Sequence, residues 1–200
     1  MSTPAPSPQR SRLWRVIRAI ILVILSLLTL LLLTIVGLAL LPTTVENPVI
    51  SNPVTDYADA VAQIEAIQAE ENELPDFNPV CQSILMTHGH KTADAIVFYH
   101  GFTNCPEQYR QLAQAFFDQG YNVYVPLMPG HGRRDPSGPA LADLTVGDLA
   151  AYGTETADIA QGLGERVTVN GLSGGGTVAA WLAQERADIA LAAPTSPFIG

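Results

Sequence analysis

Between Ala19 and Leu41 the chain runs for 23 residues without a charge, mostly Leu, Ile, Val and Ala. A helix rising about 1.5 Å per residue makes this run roughly 34 Å long, enough to cross a bilayer core. A fully soluble, cytosolic protein is therefore not expected. We read residues 16–41 as a transmembrane helix behind a basic tail, 1–15. Of the 200 residues, roughly 125 then remain for a compact domain once a linker is set aside.

The charge pattern sets an orientation. Arg10, Arg12, Arg15 and Arg18 are the only ionisable side chains before Glu46, and the remainder holds 6 basic against 19 acidic residues. Arginines at the amino-terminal end of the span put that end in the cytoplasm and the acidic remainder outside, periplasmic or extracellular. Phosphates would repel that remainder, so no nucleic-acid partner is expected. A cleaved signal peptide is the alternative to an anchor, with Gly37 and Ala39 as a small-x-small site. Its apolar core usually has about 7–15 residues, so the length favours the anchor. Pro4, Pro6 and Pro8 with their serines read as a disordered tail.

Residues 42–79 read as a linker and a helix. Three prolines and several β-branched residues make Pro42 to Thr55 an extended tether. Asp56 stands at a cap position, and Tyr57, Val61, Ile64 and Ile67 follow at helical spacing until Glu70, Glu71, Glu73 and Pro75 close the helix.

Residues 80–200 then read as alternating strands and helices. Cys81–Thr87 and Ala95–His100 are two β-type runs around the polar segment His88–Asp94, and predict a hairpin. Pro106 opens a helix with Tyr109, Leu112, Ala113, Phe116 and Phe117 as its apolar stripe, and Gly120 ends it. Strands follow at Tyr121–Leu127, Val167–Asn170 and Ile189–Ala193. Helices lie between them, one opened by the capping box Thr145/Asp148 and running to about Leu163, the other at Thr177–Glu185. The order β-β-α-β-α-β-α-β with continuously apolar strands predicts an α/β fold, a mostly parallel sheet with helices on both faces.

The turn between the Val167 strand and the last helix carries Gly171-Leu172-Ser173-Gly174-Gly175, a match to G-x-S-x-G. Such a motif holds a serine on a sharp strand-to-helix turn, where small neighbours let two backbones pass closely. A phosphate loop would want G-x-x-x-x-G-K-[ST], and no lysine is near. A serine nucleophile needs a base, and its tetrahedral intermediate needs two fixed N–H donors. Gly174 offers one amide; His100-Gly101-Phe102, at the end of the Ala95 strand, offers a second at Phe102.

Phe98-Tyr99-His100-Gly101-Phe102-Thr103, Gly120-Tyr121-Asn122-Val123, Pro129-Gly130-His131-Gly132 and the Ser173 motif, in this order, resemble the amino-terminal half of an α/β-hydrolase. The closest resemblance is to the carboxylesterase and monoacylglycerol lipase branch, over about residues 80–200. It implies an incomplete α/β-hydrolase fold after the transmembrane helix. It also implies Ser173 as nucleophile, Phe102 and Gly174 as oxyanion donors, Gly171 and Gly175 as the elbow's small residues, and structural roles for His100 and His131. Family chain order is Ser, then acid, then His, yet only Glu185 and Asp188 follow Ser173 and no histidine does. The triad acid and histidine thus have no candidates within these residues, and His100 and His131 are not expected to reach Ser173.

The resemblance implies a membrane-anchored serine hydrolase of carboxylic esters, with lipidic esters suggested by the anchor and no metal or organic cofactor. The alternative is a non-catalytic membrane-anchored scaffold or binding protein, or a truncated product. His88 and His90 are an i, i+2 pair without nearby carboxylate or thiolate and read as solvated. Cys81 and Cys105 are the only cysteines and fall on the exported side. A disulfide between them would stabilise by about 3 kcal/mol; two buried thiols are the alternative.

Overall fold

The computed structural model describes residues 8–40, 50–135 and 141–198, with side chains from residue 12 onward in the first stretch. The chain divides into two units, Met1–Thr44 and Val45–Gly200. Within the first, helix α1 spans Pro8–Ala39, so it begins inside the basic stretch. Its Arg12–Ala39 portion contains an 18-residue window of mean hydropathy 3.1 and is long and apolar enough to cross a membrane, as a signal sequence also would be. Pro4 and Pro6 of the expected tail, and residues 42–49 of the expected tether, lie outside the described residues.

In the second unit the elements are α2 (Tyr57–Asn72), β1 (Ile84–Met86), β2 (Thr92–Tyr99), α3 (Arg110–Phe117) and β3 (Asn122–Val125). After these come α4 (Val146–Leu163), β4 (Gly164–Leu172), α5 (Gly174–Glu185) and β5 (Ile189–Thr195). The sheet order is β1-β3-β2-β4-β5, parallel except for β1, which runs antiparallel to β3. The alternating face rule sorts the core. Ala95, Val97, Tyr99, Tyr124, Val167 and Val169 point to the side of α2, α4 and α5, whereas Ile96, Phe98, Val123 and Val125 point to α3. Because β2 is buried on both faces, it sits inside the sheet.

The expected hairpin is overturned. Ile84, Leu85 and Met86 pair with Val125, Tyr124 and Val123, and β3 lies between β1 and β2. The physical reason is Asn122, which is fully buried. It accepts from the His88 amide and donates to the carbonyls of His90 and Leu163, pinning the polar connection across the end of β3. Leu112 also departs from its expected place: it is exposed, because two-turn α3 turns Ala113, Phe116 and Phe117 toward the core, with Tyr109 just before it.

Helix α2 starts at Asp56, whose side chain accepts from the Ala58 and Asp59 amides. It packs through Ala60 and Ile64. Glu71, expected only to close the helix, is buried and accepts from both the amide and the hydroxyl of Ser83. Burial pushes its carboxyl above the usual range, against the opposing pull of these two bonds. The end of the tether is no free spacer: Ser51 and Asn52 donate to the Asp158 carboxylate on α4, and Val54 to the Asp158 carbonyl. Arg186 completes this buried cluster, with Nη2 at 2.8 Å from Asp158 and 2.7 Å from Asp188. The capping box at Thr145 and Asp148 is present, and the α4 helix passes directly into β4 at Gly164.

Candidate active site

The parallel strands β2 and β4 end side by side, with Tyr99 opposite Gly171. Two turns issue from that edge. After β4 the chain reverses into α5 at Ser173, whose backbone takes φ 56° and ψ −115°, a conformation costly for a residue with a Cβ. The turn closes only because glycines surround it. A Cβ on Gly175 would lie 2.6 Å from the His100 carbonyl oxygen and even closer to that of Tyr99. A Cβ on Gly171 would strike the Gly175 carbonyl. A third glycine, Gly176, is required as well: its Cβ would lie 2.6 Å from the Thr195 carbonyl oxygen. The motif did not include Gly176, and only the glycine run hinted at it.

The Ser173 amide donates to that same Thr195 carbonyl, at 2.9 Å, so the end of β5 holds the elbow. The Ser173 side chain is half-buried, and its Oγ has no hydrogen-bond partner among the described residues. Gly174 opens α5, placing Ser173 at the positive end of a 12-residue helix, where negative charge is favoured.

The second turn, after β2, brings Phe102 to Gly174. The Phe102 amide nitrogen lies 3.5 Å from where a Gly174 Cβ would be. This loop is fastened from several sides. Gly101 donates its amide to Gln108 Oε1 at 2.8 Å, and its carbonyl accepts from the Asn104 amide at 2.9 Å. Cys105, three residues on from Phe102, is joined to Cys81 as a disulfide, with Cα atoms 5.2 Å apart. Nothing in the local sequence marked Gln108, whose role depends on the turn of helix at Pro106–Tyr109.

Neither histidine of the flanking motifs is free. His100 is fully buried; its Nε2 accepts from the Met128 amide at 2.9 Å, which leaves Nδ1 to donate to the Gly101 carbonyl. Burial, more than any neighbour, pushes its pKa down to about 4, so the ring is neutral. His131 faces two carbonyls, Phe102 at 2.6 Å from Nε2 and Pro129 at 3.0 Å from Nδ1. After Ser173, Glu185 is exposed on α5 and Asp188 is engaged by Arg186, whose hydrogen bonds hold its carboxyl below the usual range. Among the described residues no cluster of His, Cys, Asp or Glu could hold a metal ion.

Residues 90–200 match the sequence model of the hydrolase family described as serine aminopeptidase, S33. The chain belongs to that family and is an α/β-hydrolase over the matched part. A curated relative, the thermostable monoacylglycerol lipase of Bacillus sp. (strain H-257), is 31% identical over 100 residues, 47% of this chain and 36% of that protein. This S33-family chain thus spans about a third of that relative's length. Among solved structures, that of LipS and LipT, two metagenome-derived lipolytic enzymes, is 26% identical. It covers 57% of this chain and 45% of the other, with a TM-score of 0.48. An inhibited esterase B from Lactobacillus rhamnosis is 18% identical over 64% of this chain and 46% of the other, at a TM-score of 0.39.

Proposed function

We propose that this chain carries the nucleophile and oxyanion hole of a membrane-anchored serine hydrolase acting on carboxylic esters. The strained Ser173 turn, with the Phe102 loop packed against Gly174 beside it, is the observation that supports the reading most. Ser173 Oγ attacks the ester carbonyl, the alcohol leaves, and water releases the acid from the acyl-enzyme. The negative charge on the tetrahedral oxygen falls between the two amides at the positive end of α5.

A base is needed to take the Ser173 proton. His100 spends both ring nitrogens on backbone groups and His131 faces two carbonyls, so the base and its acid would come from polypeptide beyond these 200 residues. Residues 16–41 serve as the anchor, with the arginine-rich end cytoplasmic and the hydrolase unit outside. That tether, together with the monoacylglycerol lipase among the relatives, favours a lipidic ester. The engagement of His100 and His131 by backbone groups also fits a second reading, a non-catalytic scaffold.

A fluorophosphonate, which phosphonylates only activated serines, separates the two. Native protein extracted from its membrane should gain a single adduct by intact mass, and Ser173→Ala should gain none. A native protein that stays unlabelled would sink the enzyme and leave the scaffold.

A further inference from the structure

The sequence motif around His131 is not absorbed by the nucleophile or by the oxyanion amides, yet its side chain is buried against the loop that carries one of them. The ring is only 7% exposed and packs edge-on against the Phe102 ring at 5.2 Å and against His100 at 5.1 Å. Its Nε2 lies 2.6 Å from the Phe102 carbonyl oxygen, a carbonyl with no other hydrogen-bond donor among the described residues. A backbone carbonyl can only accept, and of the two carbonyls that face the ring the Phe102 oxygen is the nearer, so the ring N–H is placed on Nε2.

This bond completes a clamp. The Gly101 carbonyl is held by the Asn104 amide, and in a trans peptide the Phe102 N–H then points the opposite way. The next peptide plane, that of the Phe102 carbonyl, is held among the described residues only by His131. With both planes flanking the Phe102 Cα fixed, the Phe102 amide has no freedom to swing. We propose that His131 is a positioning residue: by donating from Nε2 to the Phe102 carbonyl, it aims the Phe102 amide at the oxyanion. The inference rests on the proposed roles of Ser173 and Phe102.

The geometry distinguishes two conservative variants. A glutamine at 131 places its amide nitrogen near the Nε2 position, whereas an asparagine reaches only the Nδ1 position, toward Pro129. The native membrane-extracted protein would be compared with His131→Gln and His131→Asn in two measurements. One is the rate and saturation constant of fluorophosphonate addition to Ser173; the other is hydrogen–deuterium exchange of peptides covering residues 101–104.

His131→Asn should slow phosphonylation at saturation about 10- to 100-fold, short of the roughly 100- to 1000-fold for outright loss of an oxyanion donor because the Phe102 amide is loosened and not removed, and leave the saturation constant unchanged. It should also speed exchange at Gly101 and Asn104 about tenfold, as their bonds loosen. His131→Gln should match the native protein in both. Should His131→Asn fail to fold, His131→Gln still decides, because a tenfold slower Gln variant overturns the proposal. So do equal rates and equal exchange in the Asn variant. An unlabelled native protein would refute the enzyme, not the clamp: exchange alone then judges the fastening, upheld by a faster Asn variant with a native-like Gln variant and overturned by unchanged exchange.

Discussion

Acidification should unfasten this domain through one residue, His100. Its ring is neutral in the fold because Nε2 accepts the Met128 amide and because burial withholds water from the charged form. In the unfolded chain the same ring titrates near its ordinary value of about 6.5. Between that value and the native value of about 4, the unfolded state binds more protons than the native state. Stability from this group is therefore complete above the unfolded value and is lost as pH falls through the native one. At ~1.36 kcal/mol per pH unit, the gap amounts to about 3 kcal/mol. Urea unfolding of the detergent-solubilised chain, followed by tryptophan fluorescence at pH 7 and pH 4, measures it. The control is His100→Gln, which keeps an acceptor for the Met128 amide but does not titrate. The variant should start less stable and lose about 3 kcal/mol less than the native chain on acidification, whatever other groups do in both. Parallel losses would refute the linkage of this ring to folding.

Other perturbations test the frame around the site. Gly175→Ala should destabilise by at least ~3 kcal/mol, since its Cβ would collide with the carbonyls of Tyr99 and His100; a urea midpoint within error of the native one would contradict that. Arg186→Met leaves Asp158 buried without its cation and should cost about 3–5 kcal/mol in thermal unfolding, with Asp158→Asn in the same chain recovering part of the loss. Reducing the Cys81–Cys105 bond should lower stability by about 3 kcal/mol, read as a shift of the urea midpoint with and without dithiothreitol.

Local rules made much of this fold legible. Asp56 and the Thr145/Asp148 box fixed two helix starts because capping is decided within four residues. The elbow was readable for a similar reason: the small residues that permit a strained serine are its sequence neighbours. What escaped were features settled by distant partners. Nothing near Ile84 says that its strand pairs with Val125 and not with the next run, because Asn122, 34 residues on from His88, makes that choice. Glu71 reads as one of several solvated acids until Ser83 is placed beneath it. Gln108 has unremarkable neighbours in the chain, and the motif around His131 does not name its partner; only the folded loop shows what the two hold.

The attachment of residues 51–54 to Asp158 has a mechanical meaning. Tension carried along the chain from residue 49 would not reach the first turn of α2 directly. It would meet the two donors to the Asp158 carboxylate and the Val54 bond first, loading them nearly together. Behind them stands Arg186, which ties Asp158 to the residue that leads into β5. The domain is thus gripped at the middle of a buried helix, and a pull is shared with the sheet before any helix can unwind from its end.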